Sequence, residues 1–177
     1  MFTAVSPDEP DQPKQSYRSE TGTLPAAPSF HHTTTGETDC PILRQIDDAL
    51  VALRVGHRRA IRILDVGCND GTWLIHAVRH ARMLGFVAIE GRGLDLAHSN
   101  IAHARLAAAT ISDARIGLVF DAAGIADALA EEDDHVADIV LFHYGMFTSL
   151  PLADHERVVA ELTRVTAGTL ICLGGAQ

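Results

Sequence analysis

The stretch from Ile61 to Trp73, I-R-I-L-D-V-G-C-N-D-G-T-W, constrains the fold more than any other part of the chain. Ile61, Ile63, Leu64 and Val66 form a nearly continuous apolar run, the composition of a strand buried in a parallel sheet. The run stops at Gly67, and small or polar residues follow to Gly71. From Thr72 onward, Trp73, Leu74, Ala77, Val78, Ala81 and Leu84 recur at helical spacing. The segment reads as a strand, a tight glycine turn and a helix N-terminus. Glycine lets backbone approach a ligand closely, and the unpaired N–H groups of a helix start attract an anionic group.

The turn itself separates ligand classes. A dinucleotide fingerprint, G-x-G-x-x-G, needs glycines at 67, 69 and 72, but Asn69 and Thr72 stand at the last two. A phosphate-cradling Walker loop needs a lysine after its final glycine, and none follows Gly71. The pattern acidic-h-G-x-G-x-G fits from Asp65 to Gly71 with one substitution, Asn69 for the middle glycine. Asparagine is the residue other than glycine that best tolerates left-handed backbone. Here the chain resembles the class I S-adenosylmethionine-dependent methyltransferases. An ordinary α/β connection that binds nothing has the same outline.

Composition narrows the rest. The 177 residues suit one domain with a real core, preceded by a tail. No apolar run approaches the ~20 residues of a membrane span, and the N-terminus lacks the basic and apolar regions of a secretory signal. Cys40, Cys68 and Cys172 are odd in number and widely spaced, against a disulfide framework or zinc site. A cytoplasmic location is the expectation. A formal net charge of −9 argues against a nucleic-acid substrate. Arg54, His57, Arg58 and Arg59 form one basic patch, which suits the dipole at a helix C-terminus.

In chain order, residues 1–38 are rich in Pro, Ser, Thr and acids and read as a mobile tail, with Phe30 to Thr35 placed to order over a ligand. The domain then runs over 39–177. Asp39 and Pro41 signal a helix start, and Leu43, Ile46, Leu50 and Leu53 extend the helix over 40–57. After the turn, a helix from 72 to 84 carries His76 and His80, four apart; without a third ligand they read as solvated surface histidines. Gly85 ends that helix. A second strand lies within 86–96, and a third spans 115–120. A fourth spans 138–142, a helix covers 151–166 with Gly168 as its cap, and a fifth strand covers 169–173.

The resemblance extends over about residues 40–174 and implies the site. The string G-L-D-L-x-x-x-x-I-x-x-A-R from Gly93 resembles the second methyltransferase motif, whose acid takes the ribose hydroxyls. Asp95 fits by its flanks and Glu90 by its spacing. Asp121, just after the third strand, is implied as the adenine-binding acid. Cys68, Asn69 and Gly71 are implied at the cofactor with Gly67. Asp65 is implied to orient the loop, Asp70 to meet the methionine amine, and Phe142 to end the fourth strand against the cofactor. His143 follows; it reads equally as a general base, an orienting donor or a packed core histidine.

Alternating strands and helices demand a doubly wound, Rossmann-like α/β sheet of about five strands, mostly parallel and lacking the family's C-terminal antiparallel pair. Its ligand then sits at the carboxyl ends of the strands. The resemblance implies methyl transfer from S-adenosylmethionine to a small-molecule acceptor. A catalytically inert cofactor-binding module and a dinucleotide oxidoreductase remain open alternatives. The fifth strand is expected as an apolar edge that a homodimer, a partner chain or the tail covers.

Overall fold

In the computed structural model, the structure describes residues 40–174. The elements are α1 (Pro41–Val55), β1 (Ala60–Val66), α2 (Thr72–Met83), β2 (Ala88–Asp95), α3 (His98–Ala108), β3 (Ile116–Ala122), α4 (Ile125–Ala130), β4 (Ala137–His143), α5 (Tyr144–Ser149), α6 (Leu152–Val165) and β5 (Thr166–Leu173). The five strands form one sheet in the order β3-β2-β1-β4-β5, with every neighbouring pair parallel. The chain steps outward from β1 to β2 and β3, then crosses back to place β4 on the other side of β1. That reversal opens a crevice at the carboxyl ends of β1 and β4.

The apolar positions explain the layers. Ile61 and Ile63 of β1 face Ile46 and Leu50 of α1, Leu74 and Val78 of α2 and Ile101 of α3, all buried in one cluster. Leu64 and Val66 point the opposite way, into a second cluster with Leu129 of α4 and Val158, Leu162 and Val165 of α6. Successive strand side chains alternate between faces, so a run without polar interruptions feeds both cores. Among the described residues no helix is long and apolar enough to cross a membrane.

Several local expectations change. The cap of α1 is Cys40, without a side-chain cap bond; Asp39 and the proposed tail lie outside the described residues. Helix α6 runs directly into β5, so Gly168 is no cap: it lies within the strand, where a Cβ would come 2.4 Å from the Asp138 carbonyl oxygen. The residues after β4 form the short helix α5. His80 is not simply solvated, because its Nε2 lies 2.5 Å from Asp47 Oδ1 of α1. The basic patch is largely tied down. Arg54 donates to the carbonyls of Leu84 and Arg58 and lies over the Phe86 ring, and Arg58 pairs with Asp138.

Candidate functional site

The turn after β1 is held in left-handed backbone at alternate residues: φ is 78° at Gly67, 49° at Asn69 and 77° at Gly71. Asn69 thus occupies the conformation that the missing glycine would adopt. Gly71 is further constrained, since a Cβ there would meet the Phe120 ring at 2.7 Å. The amides of Gly67 and Cys68 both donate to the Leu94 carbonyl, at 2.8 and 2.9 Å, stitching the turn to the end of β2.

Asp95 completes the stitch. Its carboxylate accepts from the Asn69 amide at 2.9 Å, the Ala97 amide at 2.8 Å and the Asn100 side-chain amide at 3.2 Å. Asp95, rather than Asp65, therefore orients the loop. Asp70 accepts from the Thr72 amide and hydroxyl, at 3.1 and 2.7 Å, where α2 begins. This is an Asx-turn, in which a carboxylate satisfies an N–H two residues on.

Asp65 is fully buried, and neither of its carboxyl oxygens has a hydrogen-bond partner. Burial is the main cause that pushes its carboxyl up to about 8. The Leu74 N–H opposes this shift without closing a hydrogen bond, and the Asp95 and Asp70 charges add to it. His143, at the end of β4, brings Nε2 to 3.6 Å from Asp65 Oδ1. Burial holds the imidazole below its ordinary value, against the opposing pull of Asp95 and Asp70.

A cavity of about 870 Å³ opens at these strand ends. Gly67, Asn69, Asp95 and His143 line it, and among the described residues no Lys or Arg does. Trp73, Leu96, Asn100, Met146 and Ser149 also line it and were not singled out from the sequence. Trp73 was absorbed into the apolar stripe of α2, and Met146 and Ser149 belong to α5, which carried no periodicity of its own. The position of Asn100, five residues beyond Asp95 and in the first turn of α3, was the available signal.

Other expected residues do not reach this cavity. The Asp121 carboxylate is bonded to Arg92 at 2.9 Å and lines a separate hollow of about 560 Å³. Glu90 lines that same hollow and pairs with Arg62 at 2.8 Å, well short of the carboxyl end of β2. Phe142 packs in the core, edge-on to Phe147 with ring centroids 5.6 Å apart. Cys68 is buried beneath the turn, where burial pushes its thiol far up. Among the described residues no group of three or more His, Cys, Asp or Glu is arranged to hold a metal.

A parallel sheet in this order, with its cavity at the switch between β1 and β4, defines a Rossmann-like α/β protein. No protein-family profile and no curated protein sequence matches the chain. Among solved structures, it is similar to WbdD in complex with the kinase inhibitor LY294002, with TM-score 0.55 and 20% identity over 73% of this chain and 28% of that one. WbdD is named a bifunctional kinase-methyltransferase. It is also similar to the PH0226 protein of Pyrococcus horikoshii OT3 (TM-score 0.49, 20% identity, 77% of this chain and 59% of that one). A SAM-dependent methyltransferase of Methanosarcina mazei gives TM-score 0.47 and 19% identity over 62% and 49% of the two chains. The chain thus spans less than two thirds of each of these structures, and at such identities the WbdD likeness bears on the fold alone.

Proposed function

We propose that this chain binds S-adenosylmethionine in the 870 Å³ cavity and transfers its methyl group to a small-molecule acceptor. The observation that carries this reading is the convergence of the left-handed turn and Asp95 on a cavity that, among the described residues, no Lys or Arg lines. A wall whose described residues include a carboxylate and no Lys or Arg suits a positively charged ligand. It is poorly matched to the doubly anionic pyrophosphate of a dinucleotide. When bound, the cofactor supplies a methyl group already activated on a sulfonium.

The chain's own residues supply position. A carboxylate offers about four acceptor sites. At Asp95 two are taken by backbone amides and one by the Asn100 side chain, a bond that ribose hydroxyls would replace. Trp73, Leu96 and Met146 give the cavity apolar surface. An acceptor bearing phosphate or carboxylate finds no Lys or Arg among the described lining residues, which favours a neutral or cationic small molecule. The exposed β5 edge is covered in the working protein by a second copy or a partner chain.

Calorimetry with S-adenosylmethionine, its demethylated product and NAD tests the reading. Asp95→Ala removes charge-assisted hydrogen bonds worth about 1.5–3 kcal/mol each, so affinity for the first two falls about tenfold or more. Glu90→Ala leaves it unchanged. Binding of NAD in place of the methyl donor overturns the proposal; donor binding without methyl transfer to any acceptor in a screen favours the inert module.

A further inference from the structure

Asp65 and His143 face each other beside the cavity. Both carboxyl oxygens of Asp65 and the Nε2 atom of His143 are buried and without hydrogen-bond partners. The gap between Oδ1 and Nε2 is 3.6 Å. Burying a polar group without a partner is costly, and two such groups in apposition are relieved together when a proton lies between them. The other ring nitrogen, Nδ1, is not among the buried unpartnered atoms, and His143 lines the cavity.

We propose that Asp65 is a positioning residue for His143: its carboxyl group engages Nε2, turns Nδ1 toward the cavity, and by its own protonation decides whether Nδ1 donates or accepts a hydrogen bond there. With Asp65 protonated, its O–H donates to Nε2, and the neutral ring carries its own proton on Nδ1. Shifting the shared proton onto Nε2 gives a carboxylate and an imidazolium, and Nδ1 still carries a proton. Only when the pair loses one proton to solvent does the carboxylate accept from Nε2–H and leave a bare lone pair on Nδ1. That last form is the general base.

The surroundings favour the proton-loaded form. Asp95 from β2 and Asp70 from the turn are the charged groups that act on both members, and each disfavours a further negative charge. From α2 only the Leu74 N–H works the other way. Burial adds to this by pushing the Asp65 carboxyl up to about 8, so the pair is loaded at neutral pH and titrates as a unit. A cation entering the cavity reverses the balance and expels the proton. This last step rests on the methyl-donor reading, which supplies the cation; the pair itself does not.

The test uses the full chain labelled with ¹⁵N-histidine, the His143 signals being assigned by their loss in His143→Gln. Two-bond ¹H–¹⁵N spectra of the wild type are expected to show the Nδ1–H tautomer at neutral pH, converting to Nε2–H as pH passes about 8. Asp65→Asn abolishes the conversion. Adding S-adenosylmethionine moves it to lower pH. Calorimetry in buffers of different ionisation enthalpy then detects proton release by the wild type and none by Asp65→Asn. A His143 that titrates as a single ordinary imidazole in the wild type overturns the proposal, whether or not the variant folds. So does an unchanged conversion in folded Asp65→Asn. If the conversion is present but no donor binds, the pair stands and the methyl-transfer reading falls.

Discussion

Two aspartates beside the turn meet opposite environments. Asp95 gathers three donors and fixes the loop, whereas Asp65 gathers none and stays buried. The burial of Asp65 has a measurable cost. In the unfolded chain the Asp65 carboxyl ionises above its ordinary 3.8, but in the folded protein it keeps its proton up to about 8. Between those values the unfolded state binds fewer protons, so stability falls as pH rises, by at most about 1.4 kcal/mol per pH unit. The depressed His143 acts in the opposite sense, because stability is lost as pH falls through its unfolded value. Asp65→Asn is expected to remove the first slope and melt above the wild type at the alkaline end of that window. Melting curves across pH decide it; an unchanged slope means that Asp65 is ionised in the folded protein.

Among the elements, α4 depends most on a neighbour. It is only six residues long, too short to hold itself together in isolation. Arg164 of α6 reaches across to donate to the carbonyls of Leu129 and Glu132, at 2.8 Å each, and pairs with Asp134 at 2.7 Å. A guanidinium fork serves these partners at once, and an ammonium on a flexible stem does not. Arg164→Lys is therefore expected to lower the melting temperature of the protein. Hydrogen exchange places the loss: α4 amides lose protection before those of α2, and a uniform loss would contradict this account. The edge of β3 is guarded similarly, as Arg105 of α3 donates twice to the Phe120 carbonyl.

At the scale of the molecule, the two sheet edges differ. Residues 167 to 170 and Cys172 of β5 are exposed, and only Ile171 and Leu173 are buried against the core shared with α1. Leu170 is 44% exposed, and no Lys or Pro interrupts the strand. An apolar edge of this kind offers unpaired backbone groups to another strand. A second copy pairing there would double the mass seen by light scattering and slow exchange of the β5 amides, and Leu170→Lys would reverse both. A monomer at all concentrations with freely exchanging β5 amides would refute this expectation.

The sequence by itself determined what depends on neighbours along the chain. The strand–turn–helix unit at Ile61–Trp73, the left-handed role of Asn69 and the parallel alternation of elements were all legible, because backbone sterics and apolar periodicity are local. The general position of the cavity followed from that alternation. What only the tertiary structure decided is which side chains share it. Asp121 and Asp95 both end strands, yet one faces Arg92 in a separate hollow and the other meets Asn69 at the turn. A shift of one residue along a strand exchanges its faces, and spacing between motifs does not fix that register. Nor can a string of residues reveal that Asp65 and His143, seventy-eight positions apart, are left facing each other without partners. Burial depends on the three-dimensional arrangement of β1, β4 and the turn, and burial sets the protonation of both groups.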